Sequence, residues 1–183
     1  MFPKVYFLTW HTQLTKKAEN KQMNDYFRSK RALKCIMSGK VISLAELRSP
    51  LPLSNKGSGF AVLPLLAGTY FERFMPATVQ IVSPTDGVVT ATEAGCITLR
   101  TGDGVLITVS IGTDTELLCT TGTKIRGSEP ICAVPRQQLL QNGMYGAVSV
   151  MFCDSSVITE LHVISGIRKA GYRTAFYRIL PPK

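Results

Sequence analysis

The sequence predicts an all-β domain, an antiparallel sandwich or barrel of short strands, and three observations carry that prediction. From residue 35 onward, short runs rich in Val, Ile, Thr, Phe and Tyr are separated by clusters of Gly, Pro, Asp and Ser. Within the runs apolar and polar residues alternate: Ile97 and Leu99 stand against Thr98 and Arg100, and Ile107 and Val109 share a face opposite Thr108. The punctuation is chemically specific, since Pro84-Thr85-Asp86-Gly87 reads as a β-turn and Thr101-Gly102-Asp103-Gly104 as a hairpin loop. With 183 residues, 45% hydrophobic and 18% charged, the chain is long enough to bury a core and is not disordered by composition.

In chain order, strands are expected at Lys40–Leu47, Phe60–Leu63, Val79–Ser83, Val88–Thr92, Ile97–Thr101, Val105–Ser110, Ile131–Val134, Ala147–Phe152 and Tyr172–Ile179. Helical signals are few, and one or two short helices complete the expected fold. Arg136–Gln141 has room for a turn or two. Asp154–Ile164 reads as a helix, with Asp154, Ser155 or Ser156 as cap, Val157, Ile158, Leu161 and Ile164 at helical spacing, and Gly166 as terminator. Residues 20–34 suit a basic amphipathic helix with a thin apolar face.

Charge divides the chain. Residues 1–34 hold eight basic residues against Glu19 and Asp25, a net of +6 out of +9 for the whole sequence. We therefore expect a basic N-terminal tail over 1–34, headed by Phe2, Tyr6, Phe7 and Trp10, and a β-domain over 35–183. The tail is either a solvated leader or a contact for an anionic membrane surface; its aromatic head makes nucleic acid the less fitting partner. No apolar run approaches the roughly 20 residues a spanning helix needs. Pro3, Lys4 and His11 interrupt the first stretch, and no cleavage pattern follows it, so a cytoplasmic location is expected, with the tail as the one route to membrane association.

Cys35, Cys96, Cys119, Cys132 and Cys153 are odd in number, widely spaced and without a Cys-x-x-Cys pair, which argues against a disulfide framework or a structural zinc. His11 and His162 are the only histidines, so most His-based catalytic or metal constellations are excluded; no metal and no cofactor are expected. His162 falls between apolar positions of the expected C-terminal helix, where a half-exposed structural residue is the simplest reading.

Several segments, taken in order, resemble the glucose-family enzyme IIA domain of the bacterial phosphotransferase system. They are Ser38-Gly39-Lys40-Val41 with Leu44, Gly57-Ser58-Gly59-Phe60-Ala61-Val62-Leu63-Pro64, Pro84-Thr85-Asp86-Gly87, Val105-Leu106-Ile107-Thr108-Val109-Ser110-Ile111-Gly112-Thr113-Asp114-Thr115, Gly122-Thr123-Lys124-Ile125, and the expected C-terminal helix with Ser165-Gly166. The resemblance spans about residues 35–180. It implies an antiparallel sandwich of the duplicated-hybrid-motif type, a phosphoryl-relay ancestry, and protein partners such as a sugar transporter or a metabolic regulator. Its docking face would fall on Val79, Val82, Ile97, Val109 and Ile111.

Three departures from the pattern bear on function. The phosphoryl-accepting histidine of the family falls on Ser110, and its second histidine on Gly95. The loop after Asp114-Thr115 is about eight residues short, and about a dozen residues at 65–76 look inserted. That insertion carries Tyr70, Phe71 and Phe74, which suit either a partner surface or a cap on the sandwich. An unassisted serine hydroxyl is a poor nucleophile, its phosphate ester would be too stable to hand on, and glycine offers no side chain. Asp114 and Thr115 are retained, and Cys96 is the one substitute acceptor chemistry allows, although a strand cysteine is usually a small buried hydrophobe. The sequence thus favours a non-catalytic regulator or scaffold. An active phosphocarrier using Cys96 or Ser110 and a lipid- or nucleic-acid-binding module acting through the tail stand as alternatives. A zinc peptidase on a related scaffold fails for want of ligands.

Overall fold

A computed structural model describes residues 31–46, 58–64, 77–93, 95–111, 115–141 and 146–180. The strands are β1 (Arg31–Lys34), β2 (Gly39–Ser43), β3 (Gly59–Pro64), β4 (Thr78–Val82), β5 (Gly87–Glu93), β6 (Cys96–Thr101), β7 (Leu106–Ser110), β8 (Glu116–Leu117), β9 (Lys124–Ile125), β10 (Pro130–Pro135), β11 (Val148–Phe152), β12 (Ile158–Val163), β13 (Gly166–Arg168) and β14 (Arg173–Ile179). One α-helix, α1 (Arg136–Gln141), lies between β10 and β11. The strands form an eight-stranded sheet in the order β13-β2-β3-β11-β7-β6-β5-β9 and two three-stranded sheets, β1-β14-β12 and β4-β10-β8. Every ladder of the large sheet is antiparallel.

Alternation dictates the core. Val41 of β2, Phe60 and Val62 of β3, Ile97 and Leu99 of β6, Ile107 and Val109 of β7, and Val148 and Val150 of β11 are fully buried. They join Ile81 of β4, Ile131 and Val134 of β10, and Ala175 and Tyr177 of β14 in one apolar cluster drawn from all three sheets. That makes the molecule a sandwich, as the sequence predicted. Tyr177 ties the layers: its ring meets Phe152 at 5.0 Å and 60°. Its hydroxyl donates to the Asp103 carboxylate at 3.2 Å. Asp103 sits in the β6–β7 loop, where it also accepts from the Thr101 hydroxyl. Thr101 in turn accepts from the Val105 amide at 3.1 Å. The loop closes because Gly104 adopts φ +84°, a conformation that costs glycine nothing.

All nine expected strands form, and α1 spans the expected residues; Lys40–Leu47 differs at its end, turning into a 3-10 helix at Leu44–Glu46. The expected helix at Asp154–Ile164 does not form. Asp154 does cap, its Oδ1 accepting from the Ser156 amide at 2.8 Å, but the cap starts only a 3-10 turn, Ser155–Val157, before the chain extends into β12. Ile158, Thr159 and Val163 are β-branched, and pairing with β14 lets Leu161 and Val163 pack on the core. His162 is therefore an exposed strand residue. Residues 31–34 likewise form β1 rather than the end of a helix. Leu33 is fully buried, and the next residue, Cys35, donates its amide to the Tyr172 carbonyl at 2.7 Å. The rest of the basic tail, His11 included, and the segment 65–76 with Tyr70, Phe71 and Phe74 lie outside the described residues.

Candidate functional site

The β6–β7 ladder brings together the two positions that the resemblance singles out. Cys96 stands opposite Ser110, Thr98 opposite Thr108, and Arg100 opposite Leu106. The Ile111 amide donates to the Gly95 carbonyl at 2.7 Å, which makes Gly95 and Ser110 neighbours across the strand ends. It also puts Cys96 and Ser110 at a non-hydrogen-bonded position, where facing Cα atoms stand about 4.5 Å apart and side chains are closest. On the other side of β7, Ser149 of β11 is paired with Ser110, and Met151 with Thr108.

The outward face of the sheet at this place is a patch of hydroxyls and sulfur. Cys96, Ser110 and Ser149 form one row, and Thr98, Thr108 and Met151 the next. The Thr98 and Thr108 hydroxyls share a hydrogen bond of 3.1 Å, and Thr108 lies 3.2 Å from the Cys153 sulfur. Ser110 is 6% exposed and Ser149 2%, whereas Cys96 is half-buried and Cys153 exposed. Gly95 has φ +71°, in the left-handed region.

Ser110 and Gly95 bring little nucleophilic power to this arrangement. The Ser110 hydroxyl is nearly enclosed, and the one described histidine, His162, belongs to a strand of another sheet. Gly95 supplies no side chain. Three of the other thiols are shielded. Burial pushes those of Cys35 and Cys119 up, and that of Cys132 up to about 12, so they remain protonated and inert near neutrality. Among the described residues no three His, Cys, Asp or Glu side chains are grouped to hold a metal ion.

The expected docking residues are elsewhere than expected. Ile97, Val109 and Ile111 are fully buried, Val82 is 9% exposed, and Val79 packs against the core. Ile97, Val109, Ile111 and Val82 belong to the inner face of the sandwich and are closed to a partner; Val79 is half-buried. The alternation that identified the strands assigns the other set, Cys96, Thr98, Thr108 and Met151, to the outside. Choosing the more apolar set as a docking face inverted the pleat. Thr115 is described, its hydroxyl buried beside the Cys132 thiol; Asp114 lies outside the described residues. Leu117 and Leu118, missed by the sequence reading, are exposed at 37% and 49% just beyond the shortened loop. Their adjacency in a stretch too short to read as a strand concealed them.

No protein-family model and no curated protein matches the sequence. Among solved structures, the chain is similar to the glucose permease IIA from Mycoplasma capricolum, with a TM-score of 0.64 at 17% identity, covering 80% of this chain and 95% of that one. The chain therefore has the fold of a glucose-family enzyme IIA domain, with Ser110 and Gly95 at the two positions where the sequence resemblance puts histidines.

Proposed function

We propose that this protein is a non-catalytic member of the enzyme IIA-like group, one that binds a protein partner and does not relay phosphoryl groups. The observation that carries the proposal is the pairing of β6 with β7: the two positions of the lost relay meet across one ladder, and they hold an enclosed hydroxyl and a glycine. A phosphoryl relay needs a nucleophile whose adduct stays reactive; a phosphoserine ester would be a dead end. The likeness to a glucose permease IIA supports a partner of the sugar-uptake class, a transporter or a regulator of metabolism. The surface we assign to it is the outward patch of Cys96, Thr98, Thr108, Met151 and Cys153.

The test is to incubate the purified chain with a phosphorylated phosphocarrier donor and to measure intact mass. The expected result is no adduct, while a histidine-bearing enzyme IIA in the same reaction takes up one phosphoryl group. A stoichiometric adduct mapped to Cys96 or Ser110 would sink the proposal and make the chain a phosphocarrier.

A further inference from the structure

Far in sequence from that patch, the connection of β13 to β14 presents the two most exposed large apolar side chains of the described residues, Ile167 at 69% and Tyr172 at 62%. Exposed cations surround them. Lys40 of β2 is the register partner of Ile167 and points to the same side; Lys169 and Arg173 flank Tyr172 in the chain. The two stretches that pack here, residues 32–45 and 164–177, contain Lys34, Lys40, Arg168, Lys169 and Arg173 and no aspartate or glutamate; further along β14, Arg178 pairs with Glu160 at 3.8 Å. Two carboxylates on turns beside β1 are engaged by backbone: Asp86 accepts from the Gly127 amide at 2.6 Å, and Glu129 from the Arg126 amide at 2.8 Å.

The corner is held in shape before any ligand arrives. The Gly171 amide donates to the Cys35 carbonyl at 2.8 Å, the Cys35 amide to the Tyr172 carbonyl at 2.7 Å, and the Ala170 amide to the Ser38 hydroxyl at 3.1 Å. Ile167 and Tyr172 are thus exposed on a fixed backbone, and their exposure is not a product of fraying.

We propose that the β13–β14 corner docks on an anionic lipid bilayer, with Ile167 and Tyr172 entering the headgroup layer and Lys40, Lys169 and Arg173 pairing with lipid phosphates and carboxylates. The aliphatic Ile167 decides between partners. A nucleic acid would use the cations and stack on Tyr172 but gains nothing from an exposed isoleucine, whereas an interface takes an aliphatic side chain, an amphipathic ring and basic residues together. This inference does not depend on the proposal made for the Ser110 patch, which lies on a different part of the surface of the sheet.

The experiment is vesicle co-sedimentation of the full-length chain, using phosphatidylcholine vesicles with or without about 30% phosphatidylserine. Binding to the anionic vesicles is expected to exceed that to neutral ones, because each cation near such a surface is worth roughly fivefold. Ile167→Ser with Tyr172→Ser should weaken binding about tenfold with its salt dependence intact. Lys40→Gln with Lys169→Gln and Arg173→Gln should weaken it about a hundredfold and flatten the salt dependence. Thermal melts of both variants should match the parent, since all five side chains are exposed. Unchanged binding by both variants would overturn the proposal and move any affinity to the tail. So would a parent chain that ignores anionic vesicles, or one that binds single-stranded DNA instead with no contribution from Ile167.

Discussion

The β6–β7 hairpin has two ends that use polar residues in opposite ways. At the loop end, Thr101, Asp103 and Tyr177 saturate one another, and the bond from Tyr177 fastens the large sheet to β14. At the other end, Cys96 and Ser110 face each other across the ladder with Gly95 beside them. One end is an anchor whose every atom is engaged. The other is a surface where the resemblance puts two histidines and the chain has a hydroxyl and a glycine. The comparison teaches that one hairpin can spend its polar groups on holding the fold at one end and leave hydroxyls and thiols at the sheet's outward face at the other.

Truncation should therefore cost far more at the anchored end. Tyr177→Ala is expected to lower stability by about 3–5 kcal/mol by denaturant titration, since it empties a buried aromatic site. Ser110→Ala should change it by less than about 1 kcal/mol. Equal losses would abolish the contrast. A finer test is Asp103→Ala, expected to cost about 1–3 kcal/mol by stranding the Tyr177 hydroxyl and Thr101. With Tyr177→Phe as the second change, the double variant should lose less than the sum of the singles; strict additivity would show that the bond between them contributes nothing.

Thiol reactivity sharpens the other side. Iodoacetamide at neutral pH should modify Cys153 first and Cys96 more slowly, leaving Cys35, Cys119 and Cys132 protected until the protein is unfolded, as mass mapping would show. Early modification of Cys132 would contradict its burial. The smallest effect is at Asp154, where hydrogen bonds from Ser156 hold the carboxyl below its ordinary value. A lowered folded-state value means a contribution present above the unfolded carboxylate range, near pH 4, and lost as pH falls through the folded value. The gap in thermal midpoint between the parent and Asp154→Ala should accordingly narrow in acid; a gap independent of pH would rule the cap out as its source.

Much of this was legible before any coordinates. Alternation located the strands of the large sheet because each buries one face, and the turns at Asp86 and Gly104 were marked by residues that only such turns require. Legibility failed where tertiary contacts overrode local pattern. Val157, Ile158, Leu161 and Ile164 fit a helical stripe, yet a free edge on β14 made a strand the better use of the same residues. β8, β9 and β13 are two or three residues long, too short for any period to register. At the site, Ser110 and Gly95 were found through resemblance, and their contact across the ladder follows from register, which no spacing in the sequence displays. The outward patch was missed because apolar character was taken for exposure to a partner.

Gly95 limits what could be built at this end of the hairpin. A histidine placed there would have to hold a left-handed backbone, at a cost of roughly 1–2 kcal/mol. A histidine placed at Ser110 alone would have no second imidazole beside it among the described residues, because His162 lies in another sheet. Installing a pair of imidazoles here would thus destabilise the fold before it conferred any activity.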